Sequence, residues 1–271
     1  MGGSGDTGDT GDTDEDGTGL PASIEAAWGV RERPGRGPRP GLSLGRIVDA
    51  AVTVAVRDGL AAVSMARVAA DLGASTMSLY RYVAAKDELL DLMIDAVFAT
   101  PPEDPRPGEG WRSALSRWTW EHRAVLRRHP WVLRVPVTGP PITPNQVAWL
   151  EHGLRSLRDT GLTEGEKLSV IVLLSGFVRN ASAQEAAVTE AARTAAGRAG
   201  EVASYWRTLA KLVDPQRFPE VSALIASGVT DEPDDPDADF GFGLDRVLDG
   251  IDALVRARRA EREPTSGSRR V

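Results

Sequence analysis

The stretch Met65 to Lys86 reads MARVAADLGASTMSLYRYVAAK, and the rest of the chain is best understood from it. Its spacing predicts two short helices joined by a tight turn. The first is capped by Ser64 and places Val68, Ala69 and Leu72 on one side before Gly73 closes it. In the turn, Gly73-Ala74-Ser75, a glycine accepts the positive φ of a sharp bend and small residues let two helices cross closely. The second helix is expected from Thr76 to Val83. Leu79 and Val83, four apart, face a core, which leaves Thr76, Met77, Ser78, Tyr80, Arg81 and Tyr82 on the outside. A helix that presents hydroxyls, a guanidinium and a thioether suits a nucleic-acid groove. Arginine pairs with guanine or phosphate, threonine and methionine meet thymine methyls, and tyrosine hydroxyls reach phosphate oxygens.

On the N-terminal side, Ser43 caps a helix running to Asp58, with Gly59 as its stop. Leu44, Ile47, Val48, Ala51 and Ala55 recur at i, i+3, i+4 and i+7 and give it one apolar face. Ahead of it, Arg31 to Gly41 (RERPGRGPRPG) is a basic segment broken by proline and glycine. It reads either as a solvated linker or as an arm that reaches phosphates or the minor groove, with Arg39 the contact nearest the reader. One helical turn is expected from Ile24 to Trp28. Residues 1 to about 20 form a short Gly-Asp-Thr repeat with almost no apolar side chain, a composition that cannot offset its ordering entropy. On the C-terminal side, Lys86-Asp87-Glu88-Leu89-Leu90 opens a further helix through Leu92, Met93, Val97 and Phe98. Its N-terminal amides and Lys86 are placed to hold a phosphate.

The run from Leu44 to Phe98 resembles the N-terminal domain of the tetracycline-repressor (TetR) family of transcriptional regulators. The likeness rests on the Ser64-capped helix, on Val68-Ala69 with Leu72-Gly73, on Ser78 to Val83, and on Lys86 to Leu90. The resemblance implies base or backbone contacts from Thr76, Met77, Ser78, Tyr80, Arg81 and Tyr82, and phosphate binding by Lys86. With Arg39 and Ser64 these complete the expected DNA-contacting set. Ala66 stands where tetracycline repressors often carry a base-reading arginine, which implies a different operator.

The formal net charge of -7 does not oppose this reading, because the acid is unevenly placed. It gathers in the first sixteen residues and from Asp231 to Asp239, whereas Arg31, Arg33, Arg36, Arg39 and Arg46 have only Glu32 as a nearby opposite charge. The chain has no cysteine, so disulfides and thiolate metal sites are excluded. No apolar run long enough to cross a bilayer and no signal-peptide pattern is found, so a cytoplasmic protein is expected.

Pro101 to Gly110 marks a domain boundary. The expected organisation is a tail and basic arm over 1–40, a DNA-binding domain over 41–98, a C-terminal domain over 99–258, and a polar tail over 259–271. The C-terminal domain reads as all helix: Trp111 to His129, about Pro144 to Thr160, a long helix opened by the capping box Thr163-Glu164-Gly165-Glu166, and Phe240 to Arg258. Residues 183 to 204 are expected as a fraying helix or a mobile connector. Phe240 to Leu244 and Leu248 to Ile251 also resemble the end of the TetR C-terminal domain, and His122 to Phe177 does so more loosely. That likeness implies a homodimer in which helices around 166–182 and 240–256 pair with their copies as a four-helix interface. Two readers about 34 Å apart would then meet a palindromic double-stranded operator.

Trp111, Trp118, Trp131, Trp149 and Phe177, with His129, Gln146 and Asn180 among them, form a candidate small-molecule site. For any single one of these aromatics ordinary core packing is the better reading; as a set they have the make-up of a ligand cavity. The family resemblance aligns His129 and Gln146 with positions around the drug and its magnesium, but the other ligand positions are not matched, so neither a metal nor a cofactor is assigned. His122, His129 and His152 lack HExxH spacing, no GxSxG elbow or P-loop occurs, and the acidic Asp235–Arg246 loop has Arg246 where calcium needs a glutamate. No enzymatic activity is expected. The sequence therefore predicts an all-α protein with a three-helix helix-turn-helix domain and a C-terminal bundle, most simply a dimeric repressor released by an inducer. A helical binding module or enzyme retaining the N-terminal fold, or an activator, stays open.

Overall fold

A computed structural model describes residues 18–30, 41–137, 139–194, 201–231 and 235–262. The expectations for the acidic tail, for the basic arm including Arg39, and for residues 263–271 fall outside them. The described residues form α-helices and short 3-10 turns, with no strand among them. They divide into two compact units, one comprising residues up to Ala96 with Pro140–Gln146, the other Val97–Gly139 with Val147 onward. The division falls two residues before the expected boundary at 98, and the sequence did not foresee that 140–146 joins the first unit.

In the first unit, α1 (Ala22–Ala27), α2 (Leu44–Asp58), α3 (Met65–Asp71), α4 (Thr76–Tyr80) and α5 (Lys86–Val97) follow one another. Three serines start three of them: the hydroxyl oxygens of Ser43, Ser64 and Ser75 accept from the backbone N–H of Arg46, Arg67 and Ser78 at 3.3, 3.2 and 3.2 Å. Each such cap is worth about 1 kcal/mol. Gly59 (φ +85°) ends α2 and Gly73 (φ +61°) turns the chain between α3 and α4, a backbone region that side chains other than glycine rarely adopt. Ile47, Val54, Val63, Val68, Leu79, Val83, Leu89 and Met93 have no exposed surface and make the core. Ile24 of α1 joins this fully buried set. Ser23 Oγ donates to Glu88 Oε2 (2.6 Å) and Trp28 Nε1 donates to the Ile142 carbonyl (2.8 Å), so α1 is tied at both ends.

The reader helix is shorter than its sequence suggests. It closes at Tyr80, because the N–H of Tyr82 bonds to the Leu79 carbonyl at 2.8 Å and tightens the last turn. Val83 still reaches the core, carried by this tighter turn rather than by α-helix.

The second unit contains α6 (Trp111–Arg128), a 3-10 turn (Pro130–Arg134), most of α7 (Pro144–Ser156), α8 (Glu164–Thr194), α9 (Glu201–Leu212), α10 (Pro219–Ala226) and α11 (Pro236–Arg262). The capping box forms as its residues dictate: Thr163 N–H donates to Glu166 Oε2 (2.9 Å) and Glu166 N–H to Thr163 Oγ1 (3.3 Å). From there α8 runs unbroken through Thr194, so the first part of the expected fraying segment is regular helix. The last helix is also longer at both ends than the expected 240–258.

Helices α6, α8 and α11 pack through Leu115, Leu126, Leu174, Val178, Leu244 and Leu248. Their buried tie is Arg123, 2% exposed. It donates to Asp237 Oδ1 (2.8 Å) and the Pro236 carbonyl (2.7 Å) on α11, and to Glu185 Oε2 (3.1 Å) on α8. Its guanidinium lies 4.3 Å from the centre of the Phe240 ring. A buried charge of this kind is tolerated because it is both paired and hydrogen-bonded.

Candidate DNA-reading surface and ligand-binding residues

On α4 the core position Leu79 fixes which way the helix faces, and Met77 (74% exposed) and Tyr80 (45%) are driven outward by it. A methionine exposed to that degree has no packing role in the isolated chain. Arg81 and Lys86 are exposed beside them, and Thr76 is half-buried. Two predicted contacts already have local work. Ser78 Oγ lies 2.8 Å from Ser75 Oγ, and Tyr82 donates its hydroxyl proton to the Leu42 carbonyl at 2.9 Å. A phosphate oxygen can only accept, so Tyr82 in this arrangement has no proton to offer it. Its hydroxyl instead pins the chain just ahead of α2 against the end of the reader. Ser64 keeps its proton, since its oxygen serves the cap as acceptor.

Two further arginines near the reader are matched by acids. Arg57 reaches Asp58 (3.0 Å) and Asp71 (3.3 Å), and Arg67 reaches the same two at 2.9 and 3.1 Å. The Asp58 carboxyl is held below its ordinary range first by the hydrogen bond from Arg57. This quartet balances to zero charge, whereas Arg81 and Lys86, among the described residues, are exposed cations beside the reader with no acid within ion-pair distance. Ala66 is exposed on α3 and carries no donor.

In the second unit, Trp118 and Trp149 are brought together, their ring centres 6.3 Å apart. The ligand set read from the sequence omitted the residue between them. The His122 ring lies 5.3 Å from Trp118, 5.9 Å from Trp149 and 5.4 Å from Phe98. The signal was present as the i, i+4 step from Trp118 along the buried side of α6. Both indoles are committed to the fold, because Trp118 Nε1 donates to the Trp149 carbonyl (3.0 Å) and Trp149 Nε1 to the Phe98 carbonyl (2.8 Å). Burial, with the charge of Arg179 adding to it, pushes the His122 imidazole down to about 4, so it is neutral at pH 7. Its Nδ1 has no hydrogen-bond partner.

The other predicted ligand residues separate. Phe177 stacks at 5.0 Å on Phe240, which meets Trp120 at 4.7 Å, so it belongs to a second aromatic group around Arg123. Trp131 is 5% exposed with its ring 6.4 Å from His129, and both Trp131 Nε1 and His129 Nδ1 are buried without a partner. Burial lowers the His129 imidazole, helped by Arg128. Trp111 is half-buried at the start of α6, and Asn180 is exposed on α8. Gln146 lies in the first unit, its amide donating to Thr143 Oγ1 at 2.8 Å. Among the described residues no cluster of three or more histidine and carboxylate side chains could hold a metal ion, and no helix is long and apolar enough to cross a membrane.

Residues 47–93 match the family described as bacterial regulatory proteins, tetR family, and residues 104–255 match the tetracyclin repressor-like, C-terminal domain. The chain belongs to the TetR family. The HTH-type transcriptional repressor DrrR1 of Streptomyces coeruleorubidus is 42% identical over 270 residues, spanning 96% of each chain. Two crystal structures of the TetR family protein ActR of Streptomyces coelicolor are also similar. The complex with (S)-DNPA has a TM-score of 0.66 at 28% identity, and the complex with actinorhodin 0.67 at 29%. Each covers 79% of this chain and 99% of ActR. The all-α TetR architecture read from Ser64, Gly73 and the Ser78–Val83 run is therefore that of the chain, and its relatives are transcriptional regulators.

Proposed function

We propose that this TetR-family regulator is a homodimeric repressor that leaves a palindromic operator when a small molecule occupies its C-terminal unit. The observation that carries the reading is the reader itself. A three-serine capping scheme and a fully buried Leu79 hold a five-residue helix whose outward side chains, Met77, Tyr80 and Arg81, have no structural use. Arg81 takes guanine or phosphate, Met77 and Thr76 meet thymine methyls, Tyr80 donates to the backbone, and Lys86 holds a phosphate at the start of α5. Tyr82 acts as a positioning residue through Leu42.

Dimerisation is supported by α8. Gly165, Leu168 (48% exposed), Val172 (63%) and Gly176 recur at i, i+3, i+7 and i+11, an apolar stripe facing away from α6, and both glycines have open space beyond them. Phe242 on α11 is 66% exposed. Ligand response is supported by the unpartnered polar atoms of the second unit, and by the complexes of ActR with (S)-DNPA and actinorhodin. No catalytic role is proposed for any residue, and the site of action is the cytoplasmic chromosome.

Selection of duplexes from a random pool tests this reading. It expects an enriched inverted repeat, retarded as a dimer complex, and lost on combining Tyr80→Ala with Arg81→Ala. Enrichment of no palindrome, or a monomer by light scattering at micromolar concentration, would overturn it.

A further inference from the structure

In the second unit, arginines that are not exposed come with an acid. Arg112 pairs with Asp249, Arg117 with Glu109, Arg123 with Asp237, Arg155 with Asp104 and Arg258 with Glu166. Arg179 on α8 breaks the pattern. It is half-buried, its Nη2 donates to the Val135 carbonyl at 3.2 Å, and among the described residues no carboxylate lies within ion-pair distance. Burial lowers its pKa, the direction expected of a cation lacking compensation.

The neighbouring elements carry a second deficit. Ser182, one turn beyond Arg179 on α8, is 3% exposed, yet its hydroxyl has no partner. Buried hydroxyls elsewhere in this unit return to the carbonyl four residues back: Thr119 to Leu115 at 2.7 Å and Ser156 to His152 at 3.1 Å. Trp131 Nε1, on the 3-10 turn packed against α8, and His122 Nδ1, on α6 packed against both, are equally unserved. Native interiors satisfy more than nine in ten buried polar atoms, so unserved groups on three mutually packed elements, one of which also carries an unpaired cation, mark a place for a bound molecule. Its shape follows from the rings these elements carry: the Trp131 indole with the His129 ring 6.4 Å from it, and the His122 ring on α6.

We infer that α6, the Pro130–Arg134 turn and α8 bind a planar aromatic acid, its carboxylate paired with Arg179 and its remaining polar groups meeting Ser182 and Trp131. This rests on the ligand-responsive reading above and specifies its ligand class. A charge-assisted bond to a guanidinium is roughly twice as strong as a neutral one and suits the planar fork of a carboxylate.

The test uses the full-length protein and two probes of one shape, naphthalene-2-carboxylate and naphthalene-2-carboxamide, titrated by calorimetry at pH 7. The carboxylate is expected to bind at least tenfold tighter. Arg179→Met should remove that preference and change carboxamide affinity less than twofold, Arg179→Lys should restore part of it, and Ser182→Ala should weaken both probes by a few-fold. Equal affinity of the two probes for the wild type overturns the inference without any variant, as does failure of both to bind at millimolar concentration. An equal loss of both in a folded, operator-binding Arg179→Met does so too. Operator release is scored separately. Charge-selective binding without release leaves this site standing and removes the inducer reading, whereas release by neutral aromatics alone does the reverse.

Discussion

Replacing Asp95 with alanine is expected to destabilise the protein by about 3 kcal/mol. Asp95 sits on α5 and is 6% exposed. Its Oδ1 accepts from the backbone N–H groups of Asn145 (2.8 Å) and Gln146 (3.2 Å), and its Oδ2 from Asn145 Nδ2 (2.9 Å). It thus caps the N-terminus of α7 from a helix fifty residues away. Losing an N-cap costs about 0.5–2 kcal/mol, a carboxylate at a partly buried helix start adds up to about 2, and the bond from the side-chain amide about 1.5–3. These overlap, which sets the sum near 3. Asp95→Asn keeps an acceptor and loses the charge, for about 1 kcal/mol. With a urea slope of about 3 kcal/mol/M for a chain this size, the alanine variant should unfold about 1 M earlier and the asparagine variant about 0.3 M earlier. An alanine midpoint within 0.3 M of wild type would refute the assignment of Asp95 as the cap of α7.

Three further outcomes follow from the packing and the charges. His122 is neutral when folded, down at about 4 against 6.5 in an open chain, so the unfolded state takes up its proton first. Stability intact above pH 6.5 should fall by about 3 kcal/mol as pH drops to 4, at about 1.4 per unit, and His122→Gln should flatten that slope in urea titrations at pH 7 and 4. Glu166 is held down at about 2, chiefly by the hydrogen bond from Arg258. Its contribution is present above pH 4.5 and lost as pH falls toward 2, so the melting-temperature gap between wild type and Glu166→Gln should close across that window. A methyl at Gly243 would lie 2.9 Å from Cε2 of Phe177, whose ring is stacked on Phe240. Gly243→Ala should therefore lose about 1 kcal/mol net in urea unfolding, overpacking of about 2 outweighing the roughly 1 gained in helix propensity.

The fold was legible where local chemistry decides it. Ser43, Ser64 and Ser75 start helices by their own hydroxyls, and Gly59 and Gly73 turn the chain at positive φ, all within a few residues of sequence. The reader was legible for the same reason, since the spacing of Leu79 and Val83 fixes its inner side. What the sequence left unread depends on distant partners. Nothing within ten residues of Asp95 marks it as the cap of α7, and nothing near Tyr82 says that its proton goes to Leu42. The ligand residues are harder to read for a different reason. Composition selects aromatics, but an aromatic whose indole N–H is bonded serves the fold, as Trp118 and Trp149 do, whereas the buried polar atoms of Trp131 and Ser182 stand without a partner.

Helix α7 carries the consequence of that distinction. Its first residues, Asn145 and Gln146, are held by Asp95 of α5 within the first unit, and within the second its Trp149 donates to the Phe98 carbonyl and lies against the His122 ring. Helix α7 thus begins in the first unit and continues in the second. If a bound aromatic displaces Trp149, the Asp95 cap at the start of the same helix is one place where that displacement can be met, and the Asp95→Ala variant tests it in two ways. If the cap transmits the displacement, the variant should bind an inducing ligand and operator together, with the coupling between them reduced toward unity. If breaking the cap is itself the response, the variant should have weakened operator affinity before any ligand is added.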